Sequence, residues 1–318
     1  MNIKTKLIKV IPYNPDWPRM FEEQAALIKQ VLGNHCLEVH HIGSTSIVGL
    51  NARRDIDILC IVDQLSSSLA LQNSGYTFKG EINIPLRYYF SKNTVLLKVN
   101  LHVVENDHGF IALNLCFRDY LRAHEDECLA YAKLKEQILQ DPASYEKANL
   151  QFTGYHLRKD QFIKNILEKS GFDSFCVNFC MHDNEWENYH RIREEQIFKP
   201  IGVVYNRSHP SITAGNNYHF VLYKGRNIVS VAHVELLNDT EAALRSLATD
   251  ETYKRQGCAT YMLKFLEKWA GYQGRNIIKM HAGLRAEHFY RKFGYVNMVF
   301  DDPCICAVGD YVDLGKRL

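Results

Sequence analysis

The sequence predicts an α/β (α+β) protein of two domains, 1–172 and 173–318, each a sheet covered by helices. Three observations predict it. The 318 residues are 46% hydrophobic and 23% charged, a globular composition long enough for two cores. Strand-like and helix-like runs alternate through the first half. In the second half a strand, Ala242 to Ala248, enters a polar turn, and Lys254 to Ala259 opens a helix with Ala259, Met262, Leu263, Leu266 and Trp269 on one face. The boundary falls at Lys169-Ser-Gly-Phe-Asp-Ser174, after a helical run from His156 to Glu168.

Composition removes several function classes. A net charge of +2 gives no strong nucleic-acid signal. No apolar run reaches the length of a membrane helix and the first residues lack a signal-peptide core, so a cytoplasmic protein without a membrane partner is expected. Nine cysteines without a regular framework read as reduced thiols. Cys176, Cys180 and His182, and Cys304 with Cys306, lack zinc-finger spacing. Nothing fixes the oligomeric state.

The first domain opens on a proline-punctuated lead-in, Ile11 to Pro18, and a helical run from Met20 to Leu32. Strand Cys36 to Ile42 breaks at Gly43 into Ser44-Thr-Ser46, and a second strand spans Asp55 to Val62. Alternation puts Asp55 and Asp57 on one face, where like charges raise each other's pKa unless a cation sits between them. A Gly-Ser loop facing an Asp-x-Asp pair suits a nucleotidyltransferase, with the loop on a triphosphate and the carboxylates on Mg²⁺; a solvated strand edge with capping serines explains the same pattern. Arg87, Arg118 and Arg122 are candidates for an anionic group or for ion pairs with Asp119, Glu125 or Glu127. Cys128 to Leu139 is a structural helix.

In the second domain Glu185 to Phe198 is an amphipathic helix, and Tyr218 to Tyr223 with Ile228 to Leu237 form a hairpin around Lys224-Gly-Arg-Asn227. The joint after Ala248 is an anion-capture geometry. The first amides of a helix lack partners, Gly257 and Ala259 let a ligand approach, and Lys254 and Arg255 add positive charge. His233 and Glu235 alternate onto one strand face as candidate bases, and either is equally a surface residue.

Two resemblances sharpen these readings. Lys254-Arg-Gln-Gly257-Cys-Ala259, with Ala286-Glu-His-Phe-Tyr290 and Gly294-Tyr295 downstream, resembles the GNAT acetyltransferases. The resemblance implies a GNAT acyl-CoA acyltransferase fold, acetyl-CoA as cofactor, and a small-molecule or peptide amine as acceptor. It implies cofactor contacts at Leu247, Ala248, Thr249, Lys254, Arg255, Gln256, Gly257, Cys258, Ala259 and Thr260, with Tyr290 near the departing sulfur. Where many relatives carry an asparagine that touches the cofactor, this chain has Gly283-Leu-Arg285.

Residues from about Ile11 to Leu167 resemble the GrpB (UPF0157) family of the nucleotidyltransferase-fold superfamily. The matching elements are His41-Ile-Gly-Ser-Thr-Ser46, Asp55-Ile-Asp57, Arg87-Tyr-Tyr-Phe90, Leu101-His-Val103 and Phe117-Arg-Asp-Tyr-Leu-Arg122. This implies a nucleotidyltransferase-like mixed sheet with helices, nucleotide contacts at Gly43, Ser44, Ser46, Arg87 and His102, and Mg²⁺ with a nucleoside triphosphate at Asp55 and Asp57. The chain departs in having Ala52-Arg53-Arg54 before the acidic pair and Val99-Asn-Leu-His102 where many nucleotidyltransferases carry a third carboxylate. The leading expectation is N-acetyl transfer. Nucleotidyl transfer by the first domain and a non-catalytic sensing or scaffold role are the alternatives.

Overall fold

The computed structural model describes residues 8–147, 153–302 and 310–318 and divides into two compact units, Met1–Cys176 and Val177–Leu318. Cys304 and Cys306 lie outside the described residues.

The first unit is a five-stranded mixed sheet in the order β1-β2-β5-β4-β3, formed by β1 (Cys36–Ile42), β2 (Asp55–Val62), β3 (Thr77–Phe78), β4 (Tyr88–Asn93) and β5 (Lys98–Glu105). Strands β2 and β5 run parallel, with Asp57 opposite Asn100 and Leu59 opposite His102; the other pairs are antiparallel. In β2, Ile56 and Ile58 are buried while Asp55 and Asp57 take the other face. Helix α1 (Trp17–Leu32) starts three residues before the expected Met20. Pro18 suits its first turn, and Trp17, Phe21, Ala25, Ile28 and Leu32 form its buried stripe.

Helices α2 (Phe110–Ala123) and α3 (Glu125–Gln140) bury Leu121, Cys128 and Tyr131 against Ile47, Leu50 and Ile166. The helical run expected from His156 to Glu168 is two pieces, α4 (Gly154–Leu157) and α5 (Asp160–Lys169), with Lys159 at the break. Thr153 and His156 close a capping box over the short α4, and this capped turn ends before α5 begins.

The second unit is a seven-stranded sheet in the order β11-β12-β10-β9-β8-β7-β6. Its strands are β6 (Phe175–Phe179), β7 (Asn217–Lys224), β8 (Asn227–Leu236), β9 (Glu241–Thr249), β10 (Ile277–Gly283), β11 (Val296–Asn297) and β12 (Tyr311–Arg317). The β7–β8 hairpin closes through Gly225-Arg226, the turn expected from the sequence.

Helix α6 (Asp183–Arg193) begins on a capping box in which Glu185 accepts the Met181 and His182 amides. It ends five residues earlier than expected, because Glu194–Phe198 widens into a π-helical turn ahead of Pro200. One sheet face packs Tyr189 and Ile192 of α6 on Val221, Val231 and Ala248. On the other, Trp269 of α7 (Cys258–Tyr272) meets Phe220 and Tyr218. Helix α8 (Leu284–Lys292) follows β10. Among the described residues, no helix is long and apolar enough to cross a membrane.

Candidate functional site

Each unit carries one candidate site. In the second unit, β9 and β10 are the parallel neighbours, yet they pair only at Ile277–Glu241, Ile278–Ala242 and Lys279–Ala243. Beyond Ala243 the two strands part, although β9 runs on to Thr249 and β10 to Gly283. A β-bulge accompanies the parting: His233 faces Ser246 and Val234 faces Leu244, which leaves Arg245 as the extra residue of β9. The side of β9 from Arg245 through Leu247, Ala248 and Thr249 that faces β10 therefore keeps backbone groups available to an extended ligand.

That opening leads to the polar turn. Arg255 and Gly257 adopt left-handed backbone (φ 63° and 83°), and Gly257 caps α7. The first intrahelical bond is from Tyr261 N–H to the Gly257 carbonyl, 2.9 Å, so the amides of Cys258, Ala259 and Thr260 have no helical acceptor. Lys254 is drawn aside by an ion pair with Glu251, and the Gln256 amide donates to the Thr252 carbonyl. Among the described residues the Arg255 side chain has no hydrogen-bonding or ion-pair partner, which leaves it as the loop's open cation. The Cys258 side chain is buried toward the Tyr253 carbonyl, so at this position only the backbone faces outward.

On the α6 face, Glu235 and His233 share a side as the alternation requires, but neither is an open base. Glu235 is the counter-ion of Arg245, whose Nε donates to Oε2 at 2.8 Å, while Asn216 Nδ2 donates to Oε1 at 3.0 Å. His233 is buried, stacked on His219 at 4.5 Å between ring centroids, and hydrogen-bonded to Asn217. Burial, then the neighbouring His219, push its pKa well below the ordinary histidine value. Arg245 also holds Asp302 and lies over the Phe300 ring.

Beside that cluster, His281 of β10 faces Asp313 of β12, with Nδ1 2.7 Å from Oδ1, stacks on Phe300 and turns Nε2 toward Asp302. Alternation reading passed over His281 and Asp313 because they belong to two strands whose pairing no local signal announces. Tyr290 of α8 is buried against Phe289 and Tyr295, and burial raises its hydroxyl pKa.

In the first unit, Gly43 (φ 68°) lies so close to Asp57 that a Cβ there would collide with the carboxylate. Asn100 Nδ2 donates to Asp57 Oδ1 at 2.8 Å, and Tyr89 donates to Asn100 Oδ1 at 2.7 Å. Burial raises Asp57 to about 6 against the opposing Asn100 bond. Asp55 is paired with Arg53 at 2.9 Å. Lys135 of α3 is buried; its Nζ donates to Ser44 Oγ at 3.3 Å and to the Asn51 carbonyl, above the Tyr131 ring. Burial, then Lys159, lower it to about 7; burial, then Arg53, lower Lys159 to about 8.

The other residues picked from sequence have intramolecular duties. Ser46 is buried and donates to the Gly43 carbonyl, while Arg122 donates twice to the Ser46 carbonyl. Arg118 pairs with Asp119 and donates to the His41 carbonyl. Arg87, buried, donates to His102 Nδ1 at 2.7 Å, to the Glu81 carbonyl and to Asn83, which ties Arg87 and His102 to each other. In the strand Val99-Asn-Leu-His102, Asn100 lies opposite Asp57 and His102 opposite Leu59.

The acidic pair fits a metal centre poorly. Asp57 has one oxygen engaged by an amide donor and the other against Gly43, Asp55 faces Arg53, and among the described residues no three His, Cys, Asp or Glu side chains form a metal-binding group.

Residues 7–169 match the family described as GrpB protein, and residues 215–297 the family described as acetyltransferase (GNAT) domain. The UPF0157 protein YqkA of Bacillus subtilis is 35% identical over 168 residues, covering 51% of this chain and 47% of YqkA, so the chain spans about half the length of that relative. The UPF0157 protein BH1888 of Halalkalibacterium halodurans is 37% identical over 141 residues, covering 42% of this chain and 70% of the relative. The crystal structure of GrpB from Enterococcus faecalis is 35% identical, covers 51% of this chain and 96% of its own, and superposes with a TM-score of 0.45. The chain belongs to the GrpB family and carries a GNAT acetyltransferase domain in its second unit.

Proposed function

We propose that the second unit transfers an acetyl group from acetyl-CoA to an amine. The observation that carries this is the parting of β9 and β10 beyond Ala243, at the end of β9 that runs on through the polar turn to the free amides of Cys258, Ala259 and Thr260. An extended pantetheine arm is matched by the exposed backbone of Leu247 and Thr249. A pyrophosphate is matched by the α7 amides, the helix dipole and Arg255. When bound, acetyl-CoA supplies a thioester whose carbonyl carbon accepts the amine.

The chain's own residues then manage protons. The attacking nitrogen must be neutral; the candidate for its proton is the His281–Asp313 pair, in which Asp313 accepts from Nδ1–H and the buried Nε2 faces Asp302 at 3.5 Å, so that transfer requires the amine to displace that contact. Glu235, both of whose oxygens are engaged, holds Arg245 in place. Tyr290 holds its proton across the physiological range and supplies it to the thiolate as the new amide forms.

The test is titration calorimetry of the whole chain with acetyl-CoA, followed by a panel of primary amines with thiol release as readout. Binding that is lost in Gly257→Glu, with amine-dependent thiol release, supports the reading. Absence of acetyl-CoA binding to the wild-type chain sinks it.

A further inference from the structure

The first unit contains a convergence of charge that acetyl transfer does not use. Lys135 arrives from α3, Lys159 from the break between α4 and α5, and Arg53 from the segment before β2. The three cations repel one another: Lys159 and Arg53 both act on Lys135, and Arg53 acts on Lys159. Lys135 bonds to Ser44 and Arg53 pairs with Asp55, which brings both to the Gly43-Ser44 turn and the acidic pair, and Lys159 acts on Asp57. Tyr131 and Tyr155 lie under the two lysine ammonium groups at 4.8 and 4.4 Å.

A fold does not gather three mutually repelling cations, one of them a buried lysine, for its own stability. Burying a charge costs free energy, and an acidic residue would serve better at any one of these positions. The local carboxylates offset this charge only in part: Asp57 acts on Lys159 and Glu136 on Lys135 without an ion pair to either, Asp57 being bonded by Asn100 and closed off by Gly43, while Asp55 pairs with Arg53. Among the described residues the Lys159 ammonium has no carboxylate within ion-pair distance, and Lys135 bonds only to neutral oxygens. Charge of this kind is complemented by an anion with several oxygens. The same arrangement disfavours a divalent cation, which the surrounding ammonium and guanidinium groups would repel.

We infer that the first unit binds a phosphate-bearing anion directly on Lys135, Lys159 and Arg53, with Ser44 contributing a hydroxyl, and that it does so without a divalent metal. The lysines act as mobile point charges on phosphate oxygens, and the Arg53 fork takes two of them once it leaves Asp55. Asp57, held by Asn100, keeps the Gly43 turn in place.

The experiment is calorimetric titration of the whole chain with inorganic tripolyphosphate in EDTA, then with excess Mg²⁺, and separately with citrate. The Gly257→Glu background removes the loop of the second unit as a competing anion site. Binding in EDTA that Mg²⁺ does not strengthen is expected, with Lys159→Gln and Arg53→Gln each weakening it at least tenfold. Lys135→Met is expected to abolish it, and the two more exposed variants keep the test decisive if that buried change unfolds the domain. Four results overturn the inference: binding that appears only with Mg²⁺, binding unchanged in both Lys159→Gln and Arg53→Gln, no binding in EDTA by a folded protein, or citrate binding where tripolyphosphate does not bind.

Discussion

His281 and Asp313 sit directly opposite each other on antiparallel strands β10 and β12, with Nδ1 and Oδ1 2.7 Å apart. The carboxylate fixes the tautomer and orientation of the ring, and the ring points its other nitrogen toward the Arg245–Asp302 cluster. If this pair takes the amine proton, His281→Gln is expected to lower kcat about 100-fold or more with little change in acetyl-CoA affinity. Glu235→Gln is expected to act mainly by loosening Arg245. A comparison of kcat and KM for the two variants decides between them, and a larger kcat loss in Glu235→Gln would return the base to Glu235.

Tyr290 is buried and its hydroxyl pKa is raised, so it is an acid that stays protonated through neutral pH. Tyr290→Phe is expected to reduce kcat by about 10- to 100-fold at unchanged acetyl-CoA binding. Equal activity with an activated thioester whose thiolate needs no proton would distinguish proton donation from packing.

Gly257 caps α7 at φ 83° with no heavy atom near its missing Cβ. The conformation, not crowding, resists a side chain there. Gly257→Ala is expected to cost about 1–2 kcal/mol of stability in denaturant unfolding. Gly257→Glu adds a negative charge beside the α7 amides and is expected to weaken acetyl-CoA by tenfold or more.

Gly43 presents the opposite case, because its φ of 68° is joined by direct crowding from Asp57. Gly43→Ala is expected to displace the carboxylate and lower the stability of the first unit by about 1–3 kcal/mol. Thermal unfolding with Asp57→Asn as a second background tests the coupling: the two losses should not add.

His219 accepts from Tyr189 at Nδ1, donates from Nε2 to the Ser211 carbonyl and stacks on His233, with Arg193 and His190 as its charged or titratable neighbours. Burial lowers its pKa from 6.5 to about 4, partly opposed by the Ser211 bond. The unfolded chain takes up a proton below pH 6.5 and the folded one only near 4. The stabilisation is therefore complete above 6.5 and is lost as pH falls through that interval, on the order of 2–3 kcal/mol. Ring-nitrogen NMR should show His219 neutral at pH 5, and His219→Gln should flatten the acid limb of the stability curve.

Local pattern carried a great deal of this protein. Period-two alternation located β2 and placed Asp55 and Asp57 on one face, and helical spacing found α7 with Met262, Leu263, Leu266 and Trp269 inward. The glycine-centred turns at Gly43 and Gly257 were legible because left-handed backbone and close approach select glycine. Those signals, with the motif resemblances, determined the family and the acetyltransferase domain.

Only the tertiary structure decided which residues meet. Lys135 and Ser44 are 91 positions apart, and Arg245 reaches Asp302 across 57. Asn100 rather than His102 lies opposite Asp57 because parallel register is set by packing across the sheet. The parting of β9 from β10 likewise leaves no mark on either strand's own alternation. Side-chain periodicity encodes which face of an element is buried. The partners that share that face come from pairings between distant segments, and those follow from the free energy of the whole packed domain.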